Sequence, residues 1–181
     1  MRQDDNGKFF PLGKLDPDFL EELLASLPQD RRVIVGPKIG EDAAVLDFGE
    51  KYLVVKTDPI TFTFENIGWY VVNINANDIA CMGATPRWFL PTLLLPQQGT
   101  SQELVKTIFN QMKSACQKLG IFLIGGHTEV TFNLDRPIAV GQMIGEVKRE
   151  RLVKGSGAKP EDVVLLTKGV AIEGTHVIYQ K

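Results

Sequence analysis

The sequence predicts an α+β domain in which a mainly antiparallel sheet is packed with helices. Two observations carry the prediction. Short β-prone runs and amphipathic helical stretches are interspersed along the chain, and they lack the strict strand and helix alternation that produces a parallel sheet. With 181 residues, 44% of them hydrophobic and 23% charged, the chain is also long enough to bury a full core.

The elements follow in order. Asp16 before Pro17 is an N-cap and first-turn signal, and Phe19, Leu20, Leu23, Leu24 and Leu27 recur at helical spacing until Pro28 ends the pattern. Three β-prone runs come next, at Val33 to Val35, Ala44 to Leu46 and Tyr52 to Lys56, with Gly36-Pro37 and Gly49-Glu50 as breaks. From about Asn66 to Met82 the apolar positions Ile67, Tyr70, Val71, Ile74 and Met82 share a broad face, and Gly83 is placed to end that helix in a left-handed conformation. Trp88 to Leu95 reads as a buried strand, with Pro91 arguing for an edge or bulge position. Thr100 and Glu103 form a capping box ahead of a helix through Leu104, Ile108, Met112, Ala115 and Leu119, closed by Gly120. Runs at Ile121 to Ile124 and Pro137 to Val147 flank a polar, glycine-containing loop, Gly125-Gly126-His127-Thr128-Glu129. After Arg151 the composition turns linker-like through Gly155 to Pro160, and Val163 to Thr167 reads as the start of a new unit.

Charge and composition exclude several function classes. Twenty basic residues against 22 acidic ones leave the chain near neutrality, with no Lys/Arg block to mark a nucleic-acid or anionic-membrane partner. No apolar stretch is long enough to span a bilayer, and the polar start from Met1 to Lys8 has no signal-peptide pattern, so a cytoplasmic protein is expected. Cys81 and Cys116 lie in separate helical patterns without metal-binding spacing, which predicts buried reduced thiols.

Three isolated aspartates stand out, Asp42, Asp58 and Asp78, each where an apolar segment gives way to something else. Together they read as one divalent-metal site, because hard cations take several carboxylate oxygens and often share them with substrate phosphates. Asp78 falls near the C-terminal end of the central helix, where the backbone dipole is already negative and a cation is needed to offset it. A carboxylate satisfied by backbone N–H groups or by Arg87 is the alternative there. Asp58 follows Thr57 at a strand end and is held extended by Pro59, although a turn-stabilising role would also fit. Of Glu41 and Asp42, either solvates the turn after Gly40 or coordinates metal; Asp42 is preferred as nearer the following strand. Gly125 and Gly126 allow close backbone approach to a ligand, Thr128 and Glu129 add oxygens, and His127 is a candidate general base. Walker A, dinucleotide-binding and nucleophile-elbow motifs are absent.

The segments Gly40 to Val45, Thr57 to Ile60, Asn77 to Pro86 and Ile124 to Glu129 together resemble the N-terminal half of the aminoimidazole ribonucleotide (AIR) synthase superfamily, which includes thiamine-monophosphate kinase, selenophosphate synthetase and the hydrogenase maturation protein HypE. The opening Gly13-Lys14-Leu15 and its helix look most like HypE-type and related archaeal or bacterial AIR-synthase-like proteins. The resemblance implies an ATP-dependent enzyme without a P-loop, whose N-terminal domain dimerises through strands into a barrel and binds ATP with Mg²⁺. It implies Asp42, Asp58 and Asp78 as metal ligands, with Thr57, Asn75, Gly125, Gly126 and Thr128 beside them around the nucleotide. His127 stands where thiamine-monophosphate kinases usually carry an aspartate. The implied layout is an N-terminal extension and helix over 1–30, the ATP-binding domain over 31–150, and over 151–181 a linker with the start of a C-terminal α/β domain. No HypE-type C-terminal cysteine is present, and the expectation is a fragment or short product relying on a partner protein for the missing half. The rival expectations are a non-catalytic dimerisation or partner-binding module, and a thiamine-monophosphate-kinase-like small-molecule kinase.

Overall fold

A pair of long antiparallel strands forms the spine of the sheet in the computed structural model, which describes residues 9–166 and 171–179. They are β3 (Lys51–Ile60) and β7 (Ile138–Lys148), paired from Lys51↔Lys148 to Ile60↔Ala139. Outside β3 lie β2 (Ala44–Asp47) and β1 (Val33–Val35), and on the far side of β7 runs β4 (Thr85–Pro96), all antiparallel. Beyond β4 two short strands, β5 (Phe122–Leu123) and β6 (His127–Thr131), pair parallel to different parts of it. The order β1-β2-β3-β7-β4-β5, with β6 beside β5 on β4, makes one open seven-stranded sheet.

Two helices, α2 (Ile67–Cys81) and α3 (Gln102–Leu119), cover one face; α2 packs on β3, β7 and β4, and α3 packs on α2. Alternation along the strands supplies the core, since Val45, Val54, Phe89, Leu93, Ala139 and Met143 are buried. They meet Ile67, Val71, Ile79, Ile108 and Met112 from the helices. The opposite sheet face carries Leu53, Val55, Trp88, Leu90, Leu94 and Ile144, all only half-buried.

Helix α2 comes unusually near the sheet because β7 presents glycine where α2 crosses. A Cβ on Gly141 would stand 2.2 Å from Asn75 Nδ2, and one on Gly145 would stand 2.4 Å from Ile79 Cγ2. Both helix ends behave as their sequences predict: Gly83 follows α2 at φ 73° and Gly120 caps α3 at φ 68°, conformations that cost glycine little.

Several expectations are corrected. The α3 N-cap is Ser101, whose hydroxyl accepts from Leu104 N–H, while Thr100 donates to Pro96 O instead. Pro91 lies inside a strand paired on both sides, not at an edge. It is tolerated because its missing N–H falls in the gap between β5, opposite Trp88 and Phe89, and β6, opposite Thr92 onward. The polar loop is shorter than expected, since His127 to Thr131 form β6. Helix α1 (Pro17–Ala25) forms with Asp16 capping Asp18 and Phe19 N–H, but none of its residues is buried; Phe19 stacks on Phe10 at 5.3 Å. Val163 to Leu166 are exposed and irregular, and a further helix, α4, spans Ile172–Tyr179. Met1 to Lys8, Thr167 to Val170, Gln180 and Lys181 lie outside the described residues.

Candidate functional site

Strand β3 runs four residues past its predicted end at Lys56, so Asp58 sits within a strand rather than at its terminus. Beyond Val55 the strand has left β2 and pairs only with β7, which is why Pro59 fits there without a donor. Alternation sends Val54, Lys56 and Asp58 to the helix-covered face. Along α2, Asn75 and Asp78 are one turn apart and meet β3 at this point.

Lys56 is the hub. Its Nζ lies 3.0 Å from Asp78 Oδ2 and 3.5 Å from Asp58 Oδ2, and the Lys56 and Asp78 side chains are 18% and 16% exposed. Burial alone would lower the Lys56 pKa, but the hydrogen bond and charge of Asp78 and the charge of Asp58 overcome it and raise the value. Burial also pushes the Asp78 carboxyl above its ordinary value; Lys56 pulls it back in part, while the negative charges of Asp58 and Asp42 add to the rise. The cation that the C-terminal end of α2 requires is therefore Lys56, and not Arg87, which pairs with Glu146 at 3.8 Å.

Asn75 is fully buried and ties the two elements together. Its Nδ2 donates to Asp58 O at 3.1 Å and to Val71 O at 2.8 Å, which leaves Oδ1 buried without a partner among the described residues. Swapping the amide's ends would face an acceptor toward two carbonyls, so those carbonyls set its orientation.

Asp42 and Glu41 divide their labour. The Glu41 carboxylate accepts from Gly155 N–H at 3.0 Å and Ser156 N–H at 3.2 Å; burial raises its pKa, but these bonds hold it below the ordinary value. Asp42 is exposed, and its charge reaches both Asp78 and Cys81. Both thiols are free, but only Cys116 is buried, with its pKa pushed up to about 11; Cys81 is exposed on the last turn of α2.

The remaining predicted residues stand elsewhere. Thr57 points to the open sheet face, where it lines a cleft of about 380 Å³ with Gly126, His127, Thr92 and Gln142. His127 is exposed and its Nε2 lies 2.9 Å from Glu129 Oε2. The close approach that Gly126 permits is toward Pro91, whose carbonyl oxygen would be 2.2 Å from a Cβ there; Gly125 has only an ordinary contact with Leu90. Thr128 is exposed on β6 opposite Leu93. The structure thus joins Asp58, Asn75 and Asp78, keeps Asp42 within electrostatic reach, and separates Thr57, Gly126 and His127 onto the other face.

Among the described residues, no three His, Cys, Asp or Glu side chains are placed to hold a metal ion unaided. The Lys56 ammonium lies between Asp58 and Asp78 instead. Three carboxylates against one ammonium still leave negative charge unmatched, and the donors are hard oxygens. The residues accordingly fit a Mg²⁺ held by one or two carboxylates and completed by phosphate oxygens.

The family model for the N-terminal domain of AIR synthase related proteins matches residues 40–147, which include this whole cluster. The chain belongs to the AIR synthase related family. Among curated relatives, the Pyrococcus horikoshii phosphoribosylformylglycinamidine cyclo-ligase is 30% identical over 150 residues, covering 76% of this chain and 43% of that protein. The Aquifex aeolicus thiamine monophosphate kinase solved with AMPPCP and TMP has the same fold, at TM-score 0.62 and 23% identity over 78% of this chain and 43% of that one. HypE in a HypE–HypF complex superposes at TM-score 0.61 and 26% identity, over 78% of this chain and 46% of that one. This AIR synthase related chain spans less than half the length of each relative. None of its described helices is long and apolar enough to cross a membrane.

Proposed function

We propose that the chain is the Mg²⁺–ATP-binding N-terminal unit, centred on residues 31–150, of an AIR synthase related enzyme that uses ATP for phosphoryl transfer or carbonyl activation. The observation that carries the reading is the half-buried Lys56–Asp58–Asp78 cluster at the seam of β3 and α2, with Asp42 at its rim. A half-buried ion pair is a weak source of stability, so stability alone does not account for the cluster. The names and ligands of the relatives, a cyclo-ligase and a kinase solved with the ATP analogue AMPPCP, support the same reading.

Each residue has a role under this proposal. Asp58 and Asp78 hold Mg²⁺ with Asp42 assisting, and the metal supplies charge neutralisation at the phosphoryl oxygens. Asn75 fixes the spacing of Asp58 from α2. The open sheet face, lined by half-buried apolar side chains, meets a second copy of the chain, which would bring the Thr57 and His127 cleft into a dimer interface. The acceptor of the phosphoryl group, and a HypE-like place for the enzyme beside a partner protein, belong to the same proposal.

Calorimetry tests it. Titrating ATP with Mg²⁺ into the chain should give saturable heat at or below millimolar ATP, and Asp58→Asn and Asp78→Asn should each weaken the Mg²⁺-dependent part at least about tenfold. Absence of heat from folded wild-type protein would sink the reading.

A further inference from the structure

We propose that Lys56 is the resident counter-ion of the acidic site and changes partner when nucleotide binds, releasing Asp58 and Asp78 to the metal and contacting phosphate itself. The inference rests on the Mg²⁺–ATP reading and deepens it.

The argument is geometric. One ammonium serves two carboxylates, at 3.0 Å from Asp78 and 3.5 Å from Asp58, and its side chain is only 18% exposed. A divalent cation using either oxygen would be set against that ammonium at close range. Bare metal must therefore displace Lys56, and the displaced charge loses both partners. A triphosphate arriving with the metal removes the penalty, because it brings anionic oxygens for the freed ammonium. Lysine suits such an exchange: a compact charge with rotatable donors on a flexible stem can turn from one anion to another without backbone movement. The backbone here is held in place, by β7 on one side and by the Asn75 bond to Asp58 O on the other. Lys56 thus makes metal and nucleotide bind together better than either binds alone.

The consequence is a pair of changes with opposite sign. In the 181-residue chain, Lys56→Met should bind Mn²⁺ alone about tenfold more tightly, measured as free Mn²⁺ by electron paramagnetic resonance, and ATP in EDTA about tenfold more weakly, measured by calorimetry. Lys56→Gln should repeat both changes, and Lys56→Arg, which keeps the charge, should keep the wild-type order. A residue that only stabilises the fold would move neither affinity, or lower both. If the wild type binds Mn²⁺–ATP but Lys56→Met binds Mn²⁺ no more tightly, the counter-ion exchange is wrong and the binding reading stands. If the wild type binds no Mn²⁺–ATP at all, both fail together. Loss of folding in both neutral variants would make Lys56 a structural residue and overturn the proposal.

Discussion

Asp78 ionises under opposing forces. Its carboxyl is half-buried at the C-terminal end of a helix, near Asp58 and Asp42, and Lys56 offsets these effects only in part. A carboxyl whose folded pKa is raised binds its proton more tightly in the folded state than in the unfolded one. Its contribution to stability therefore falls as pH climbs from the ordinary carboxylate value through the folded value. Lys56 runs the other way in position: its raised pKa contributes stability that is complete below the unfolded lysine value and lost as pH rises through the folded one. In metal-free buffer, the stability of wild type relative to Asp78→Asn should decline as pH rises above the ordinary aspartate value of about 3.9, as read from urea unfolding at each pH. A flat difference above that value would mean that Lys56 fully compensates the charge. At this scale the sequence was partly legible. The need for a cation near Asp78 follows from the helix dipole, yet Lys56 stood inside a run read simply as a strand, where one lysine among valines was the overlooked signal. Glu41 is occupied by the amides of Gly155 and Ser156, which leaves Asp42 as the exposed carboxylate of the pair.

Elements decide which residues can act together. Adjacent residues in a strand point to opposite faces, so Thr57 and Asp58 part company although they are neighbours in sequence. Reading the strand to its true end would have revealed this, but Pro59 concealed that end because proline ordinarily argues against a paired strand. The closeness of α2 to the sheet was equally hard to foresee, since Gly141 and Gly145 gain their meaning only when β7 is placed beneath that helix. Gly141→Ala drives a methyl group against an Asn75 side chain that is pinned by two hydrogen bonds. It should destabilise the chain by about 1–3 kcal/mol in urea unfolding, with Asp58 displaced and Mg²⁺-dependent ATP heat reduced as well. An unchanged midpoint would show that the helix can lift freely. Helix limits were the most legible features, because caps such as Asp16 and terminators such as Gly83 and Gly120 act through local chemistry alone. Even there Thr100 and Ser101 compete for one cap, and Thr100 is drawn away by Pro96 O.

At the scale of the molecule, the helices cover one side of the sheet and leave the other with half-buried Val55, Trp88, Leu90 and Ile144. Pairing that face with a second copy would remove apolar surface from water at roughly 25 cal/mol per Å². Sedimentation velocity should show a dimer, and Ile144→Glu should shift it to monomer with the circular dichroism spectrum retained, because the substitution places a charge at the centre of the buried patch. A wild-type monomer at high micromolar concentration would exclude this association. The α+β class was legible in the interspersed strand and helix patterns, while the order of strands around the sheet and the open face were not, since alternation places residues on a face only after the register is known.

The turn at Gly40 also has a mechanical meaning. Glu41 grips the backbone of Gly155 and Ser156, Gly155 nests against Gly40 O, and Val153 N–H reaches Met82 O at the foot of α2. The next residue after that grip is Asp42, whose charge reaches Asp78. Chain beyond Gly157 consequently departs from an anchored point one residue from Asp42, so a tug on that departing chain would be felt at Asp42, and a change at Asp42 would redirect the path that the departing chain takes.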